Sequence, residues 1–298
     1  MKRLKFATLS AALVAAPGWA QNFDEVEIQT VHASDNVYML VGAGGNIGLS
    51  VGDDGAFIID DQYAPLSDKI MAAIADVTDS DVRFLFNTHY HGDHTGGNEA
   101  FGEAGALIIA QDNVRARMST AQFRGIFNQD IPPSPAGALP VVTFSDEMSL
   151  HWNGDEVRAI HQPPAHTDGD AILHFENANV IHTGDTFVVG CYPFIDVDSG
   201  GRIDGLIAGG YRTLSIADGD TVIIPGHGPL SDVDDLAEWL DMLKATRLSM
   251  QSLVDQGMSE DEAWAARPTA AFDDSYSEGC FMNPENYSRL LYQSLTRN

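Results

Sequence analysis

Lysine is nearly absent. Beyond residue 20 the chain holds two, Lys69 and Lys244, and over all 298 residues 16 Lys and Arg face 43 Asp and Glu, for a net charge of −27. Phosphate backbones and anionic lipid surfaces are bound by clustered cations, so DNA, RNA and acidic membranes are excluded as partners, leaving a small molecule as the expected ligand. Cysteine is equally scarce. Cys191 and Cys280 lie 89 positions apart and form no metal-type pair, which excludes a cysteine-held zinc module; bridged or free thiols both remain open. Long apolar runs are missing too, so no membrane span is expected in the mature chain. No Pro-, Ser- or Gly-rich linker divides the sequence, although "QDIPPSPAGALP" (129–140) reads as a turn-rich loop.

The one sustained apolar run, Phe6 to Ala16, is too short to cross a bilayer and follows Lys2, Arg3 and Lys5. Gly18 and Ala20 supply small residues at the −3 and −1 positions of a cleavage site. Residues 1–20 are therefore expected to be a secretory leader cut after Ala20, which predicts a periplasmic or secreted protein. Residues 21–298 are long enough to bury a sizeable core.

Short apolar runs alternate with helical spacing through the rest. "EVEIQTVH", "NVYMLVG", "NIGLSVG" and "AFIID" read as strands, and "LSDKIMAAIADV" as a helix with Ser67 as N-cap. "VRFLFN" is a buried strand, and "ALIIA", "EVRAIHQ", "AILHF", "NVIHTG" and "TVIIPGHG" follow as further strands. "IDGLIAGGYRTLSIA", "DDLAEWLDMLKATRLSMQSLV", "SEDEAWAARP" and "PENYSRLLYQSL" are helical, the last three forming a C-terminal helical extension over about 232–298. The expected fold class is α/β, two sheets flanked by helices in one domain, layered α/β/β/α.

Histidine is where the chain spends what it saves elsewhere. Three of its ten histidines stand in "NTHYHGDHTGGN" (87–98), at the end of the strand "VRFLFN". Residues two apart do not share a helix face, so His89 and His91 are expected on a loop, with Asp93 and His94 aimed differently and Gly92, Gly96 and Gly97 allowing tight turning. His166, Asp185 and His227 each follow an apolar run beside Gly or Pro, as rigidly placed ligands do. Imidazole with a few carboxylates suits zinc in an open, catalytic site.

These residues resemble the metallo-β-lactamase superfamily, whose H-x-H-x-D-H motif reads here as His89-Tyr90-His91-Gly92-Asp93-His94. The resemblance covers about residues 36–230, with His166, Asp185 and His227 at the later ligand positions and Asp60 at an early aspartate. It implies an αββα sandwich with two Zn²⁺ per chain at one edge. It further implies that His89, His91 and His166 hold one zinc, that Asp93, His94 and His227 hold the other, and that Asp185 bridges them. Asp60 would orient the histidine loop, and Asp93 would be catalytic, fixing the direction of the attacking hydroxide. His182, three residues before Asp185, is a candidate for the site's lining.

The resemblance also frames the substrate. Export favours β-lactam hydrolysis, by attack on the ring carbonyl, over thioester hydrolysis of the glyoxalase II type. Yet Asp185 stands where one β-lactamase subclass has cysteine, and Val188 where that subclass has the lysine that grips the drug's carboxylate; Thr186 or an arginine is the expected replacement. Ester, lactone or thioester hydrolysis is the alternative, and an exported hydrolase associated with a quinoprotein system is another, suggested by "YPFIDVDSGG" (192–201). An iron-dependent persulfide dioxygenase is the oxidoreductase alternative.

Overall fold

The computed structural model describes residues 22–297, and the expected leader lies outside them. After a 3-10 turn at Phe23–Glu25 come Gln29–Ser34 (β1), Val37–Val41 (β2), Ile47–Ser50 (β3) and Ala56–Ile59 (β4). Ser67–Ala75 (α1), Val82–Asn87 (β5), Gly92–Thr95 (α2), Asn98–Glu103 (α3), Leu107–Gln111 (β6) and Asp112–Met118 (α4) follow. A small hairpin of Gln122–Arg124 (β7) and Gln129–Ile131 (β8) precedes Val142–Phe144 (β9), Glu147–Trp152 (β10), Asp155–His161 (β11), Ala171–Phe175 (β12) and Val180–Val188 (β13). Ile203–Ile216 (α5), Val222–His227 (β14), Val233–Asp255 (α6), Glu260–Ala265 (α7), Asp273–Tyr276 (α8) and Pro284–Thr296 (α9) complete the chain.

Two sheets stack. One has seven strands in the order β1-β2-β3-β4-β5-β6-β9, antiparallel as far as β4 and parallel beyond it. The other has five, β10 to β14 in sequence order, with only β13 and β14 parallel. Strand alternation explains why "VRFLFN" reads as a continuous apolar run: Phe86 points between the sheets with Met39, Phe57, Leu173 and Phe175, whereas Leu85 points outward under α1 and α3 with Ile58, Ile70 and Phe101. The second sheet's outer face carries α5, α6 and α9, where Trp239, Leu240, Tyr287 and Leu291 share one core with Phe187 and Ile223. The architecture is thus α/β/β/α, and the C-terminal helices close its fourth layer.

Three local expectations are corrected. Ser67 is not a capping residue: it lies inside α1, Leu66 stands at the cap, and the Ser67 hydroxyl is buried without a partner. The histidine motif does not stay a loop, since Gly92–Thr95 makes one helical turn. Gly96 is needed for close approach rather than unusual torsion, because a Cβ there would lie 2.7 Å from the Gln62 and Gly92 carbonyl oxygens.

Both sheets deliver ligands to one edge, and the contacts between them are tight. Asn87 and Asn98 exchange amide hydrogen bonds of 2.9 and 2.8 Å, locking the end of β5 to α3. The Asn46 amide donates to the Pro225 and Gly228 carbonyls, tying the first sheet to β14. Gly205 in α5 abuts the loop before His166 so closely that a Cβ would fall 1.6 Å from the Pro164 carbonyl oxygen. Gly205→Ala must therefore push α5 off that loop, at a cost of about 1–3 kcal/mol or more. Thermal denaturation should show a drop of several degrees for this variant and almost none for Gly219→Ala, which meets open space.

Candidate metal centre

β5 ends in Asn87, and the next seven residues place three imidazoles and a carboxylate at the sheet edge. His166 comes from the loop between β11 and β12, Asp185 from within β13 and His227 from the last position of β14. The structure brings all seven candidate ligands together in overlapping groups: His89, His91 and His166; His89, His94 and Asp185; and Asp93, His94 and His227. Within each group the donor atoms lie within 4.8 Å of one another.

The hydrogen bonds decide which nitrogen of each ring is free. Asp60, wholly buried at a left-handed φ of 63°, accepts from the Thr88 amide (2.8 Å), the Thr88 hydroxyl (2.7 Å) and His94 Nδ1–H (2.7 Å). With its proton given to Asp60, Thr88 Oγ1 accepts from His89 Nδ1–H at 3.0 Å. His91 Nε2–H donates to Asp196 at 2.9 Å, and His166 Nδ1–H to the Phe194 carbonyl at 2.7 Å. Each ring thereby turns its other nitrogen inward, Nε2 of His89, His94 and His166 and Nδ1 of His91, with a lone pair there in every ring that is neutral.

What those lone pairs meet tests whether a cation fits. His91 Nδ1 and His166 Nε2 lie 2.8 Å apart although both rings have committed their protons elsewhere, and His89 Nε2 is buried with no partner at all. Lone pairs facing lone pairs in a dry site are repulsive, and a cation among the three nitrogens removes the conflict. Asp185 sits between the groups, 3.6 Å from His166 Nε2, 3.1 Å from His94 Nε2 and 3.4 Å from His227 Nε2, where a bridging carboxylate belongs. Asp93, the more exposed carboxylate, is 3.3 Å from His227 Nε2. The donor set fits divalent first-row metals.

The glycines around the ligands make room for them. A Cβ on Gly45 would stand 2.1 Å from the His94 ring, and one on Gly226 would stand 2.1 Å from Asp185 Oδ1. Gln62, also at a positive φ of 59°, shapes the Gly42–Gly45 loop by accepting from the Ala43 and Gly44 amides and donating to the Gly45 carbonyl.

Charge is arranged in two zones. Burial, aided by the neighbouring Arg124 guanidinium and by His166, pushes His91 down to about 3, and burial holds His89 well below its ordinary value, so these two rings are neutral bases. Burial acts on His94 and His227 in the same direction but is outweighed by Asp185 and Asp93, which raise His94 strongly and His227 to about 9. His227 keeps a side chain 40% exposed, so water moderates that effect.

Two candidates are not in the site. Thr186 is buried with its hydroxyl donated to the Thr183 carbonyl, so it is corrected from a substrate contact to a structural residue. His182 is likewise enclosed between the sheets, donating from Nε2 to the Asn46 carbonyl and accepting from the Gly184 amide. Sequence reading overlooked Thr88 and Asp196. Asp196 also accepts from the Tyr90 hydroxyl at 2.7 Å, and only its place in the Gly-ended run "IDVDSGG" hinted that its segment was unusual. Phe194 was overlooked as well; it stacks on His91 at 5.5 Å and meets His166 edge-on at 5.7 Å. Cys191 and Cys280 are joined in a disulfide.

With the fold and site in hand, comparison places the chain. It belongs to the metallo-β-lactamase superfamily, whose family model matches residues 40–227. A hydroxyacylglutathione hydrolase of Pelagibacter ubique (strain HTCC1062) is 29% identical over 113 residues, which are 37% of this chain and 38% of that relative, so the likeness spans little more than a third of either. A metallo-β-lactamase from Pontibacter korlensis superposes with a TM-score of 0.61 at 16% identity, over 73% of this chain and 99% of that one. The inverting sec-alkylsulfatase Pisa1 from Pseudomonas sp. superposes with a TM-score of 0.66, also at 16% identity, over 90% of this chain and 50% of that one. At that identity both structures show the fold alone.

Two outcomes follow from the site. His94 and His227 hold protons in the metal-free protein that an entering metal must displace, so zinc affinity should rise as pH goes from about 6 to about 9, with protons released. Calorimetry in buffers of different ionisation enthalpy measures that release, and a pH-independent affinity would contradict the assignment. Asp196→Ala frees the His91 ring and should weaken zinc binding by about 10–100-fold in a competitive chelator titration.

Proposed function

We propose that the protein is an exported two-zinc hydrolase of acyl bonds, with β-lactam amides as its leading substrates. The observation that carries the two-metal reading is the convergence of inward-turned nitrogens on two groups joined by Asp185, each ring fixed by a hydrogen bond on its far side where the structure defines one. Zinc bound there would polarise a carbonyl oxygen and supply hydroxide at neutral pH. His89, His91 and His166 would hold one ion and Asp93, His94 and His227 the other.

The chain's own residues do the rest. Phe194, lying against His91 and His166, keeps water from one side of the site and offers an apolar wall to the acyl group. Tyr63 is kept protonated by burial and by the nearby Asp93 and Asp185 carboxylates, so its phenol remains a hydrogen-bond donor at the mouth. Asp93 is 25% exposed at its side chain where Asp185 is 12%, so it is the carboxylate placed to orient an incoming nucleophile.

Export is supported by the leader-like residues 1–20 and by the Cys191–Cys280 bridge, a form that persists in oxidising compartments. β-Lactams reach such a compartment, whereas glutathione thioesters are scarce there. Thioester hydrolysis is the second reading, favoured by the likeness to a hydroxyacylglutathione hydrolase.

Purified protein, assayed for metal and tested on a penicillin, a carbapenem, a γ-lactone and a glutathione thioester, should carry zinc and open the β-lactams. Chelation should abolish turnover and zinc should restore it. Turnover of the thioester alone would replace the substrate assignment, and iron without zinc would remove the zinc one. Asp93→Asn, refilled to full zinc occupancy, should keep kcat at least about tenfold below the parent, equivalent to about 1.4 kcal/mol of barrier. Full recovery of kcat would leave Asp93 as a ligand alone.

A further inference from the structure

Two guanidinium groups lie 6.0 Å from the centre of the Tyr90 ring, within the histidine motif itself. They differ in one respect. Arg117 is neutralised by Asp168, which accepts from its Nε and Nη2 at 2.6 Å each. The guanidinium of Arg124, the last residue of β7, forms no ion pair and no hydrogen bond among the described residues, and its Nε is buried without a partner. Arg83 also has no partner among the described residues but is exposed, whereas Arg124 lies against the histidine motif, and a buried unsatisfied N–H is unfavourable unless something meets it.

The surroundings explain why no internal carboxylate does. β7 packs on the Val197–Ser199 turn, yet the acids of that segment are committed elsewhere. Asp196 accepts from Tyr90, His91 and Ser199, while Asp198 accepts from the Gly125 amide at 2.7 Å and from Arg297 at 2.6 Å. Asp198 thus pins the backbone next to Arg124 and leaves the guanidinium unclaimed. Beside it stands an aromatic array: Phe127 lies 5.4 Å from Phe194 and 5.2 Å from Phe281, and Phe281 is 65% exposed. Together the three rings form a contiguous apolar face with Phe281 at its exposed end, which can serve as a binding surface, and the planar guanidinium fork matches a carboxylate or sulfonate.

We propose that Arg124 is an anion-binding residue that takes the carboxylate of an acyl substrate whose apolar arm lies along Phe127, Phe194 and Phe281. The assignment rests on the hydrolase reading and narrows it to anionic substrates with an aromatic or apolar side. Arg124 is then a specificity residue on the hairpin of β7 and β8, separate from the metal ligands.

The test reads binding without turnover, so it stands apart from the substrate assignment. Calorimetry on the zinc-loaded protein compares benzenesulfonate with its uncharged analogue methyl phenyl sulfone. The parent should prefer the sulfonate by at least tenfold. Arg124→Gln should abolish that preference, Arg124→Lys should restore part of it, and Arg83→Ala, which removes an exposed unpaired charge elsewhere, should preserve it. With whichever acyl substrate is hydrolysed, Arg124→Gln should raise KM at least tenfold for the carboxylate form and far less for its methyl ester. A parent without the preference, an Arg124→Gln protein that keeps it, or an equal loss in Arg83→Ala would each overturn the proposal. Lowered thermal stability with the preference intact would assign Arg124 to packing on Tyr90.

Discussion

Two imidazole nitrogens held 2.8 Å apart with no proton between them, His91 Nδ1 and His166 Nε2, set the terms for the rest of the molecule. Left to themselves the rings would rotate to find donors. They stay because Asp196 and the Phe194 carbonyl take their outer protons, and both acceptors lie on the segment between β13 and α5. Thr88 and Asp60 do the same for His89 and His94 from the other sheet. A repulsive arrangement held this firmly is a cation site prepared in advance, and the preparation is distributed across both halves of the sandwich.

The need for both sheets follows from geometry. Adjacent residues on one strand end cannot surround a point, so ligands must arrive from facing directions. The two sheets meet at this edge through backbone contacts as well as side chains: the Ala171 amide donates to the Thr88 carbonyl and the Asn46 amide to the Gly226 carbonyl. Gly45, Gly184 and Gly226 allow these approaches, since a Cβ on each would collide with His94, Thr88 or Asp185. Charge balance follows the same plan. Burial pushes the Asp61 carboxyl well above the ordinary range, opposed by the Gly97 amide that donates to it at 2.8 Å.

Legibility in the sequence divides along the same line. Residues 82–87 announce a strand because its second half, Leu85 to Asn87, is buried on both faces, and the spacing of His89, His91, Asp93 and His94 is local, so motif and fold class could be read directly. The groups that steer those ligands could be read only in part. The family resemblance points to Asp60 as the residue that orients the histidine loop, and it accepts from His94, but Asp196 lies 105 positions from His91 with nothing in its neighbourhood to name its partner. Asn46, Gln62 and Thr88 are ordinary polar residues until folding buries them. Thr186 shows the converse, since its position beside Asp185 suggested contact whereas strand alternation turns it inward. The pairing of Cys191 with Cys280 depends on where α9 and its preceding loop dock, which no local pattern encodes.

That disulfide separates the two kinds of information in this chain. The metal side is built by short-range patterns at strand ends. The substrate side is assembled from remote pieces: the hairpin of β7 and β8 brings Arg124 and Phe127, the segment after β13 brings Phe194, and the loop before α9 brings Phe281. Cys280 immediately precedes Phe281, and its bond to Cys191 anchors that aromatic close to the segment carrying Phe194. Removing a disulfide releases an 89-residue loop and chiefly affects the unfolded chain, but here it also frees one wall of the mouth. The metal ligands, held by Asp60, Thr88 and Asp196, do not depend on that wall. Substrate choice can therefore vary through the hairpin and the bridged loop while the hydrolytic centre stays fixed by the two sheets.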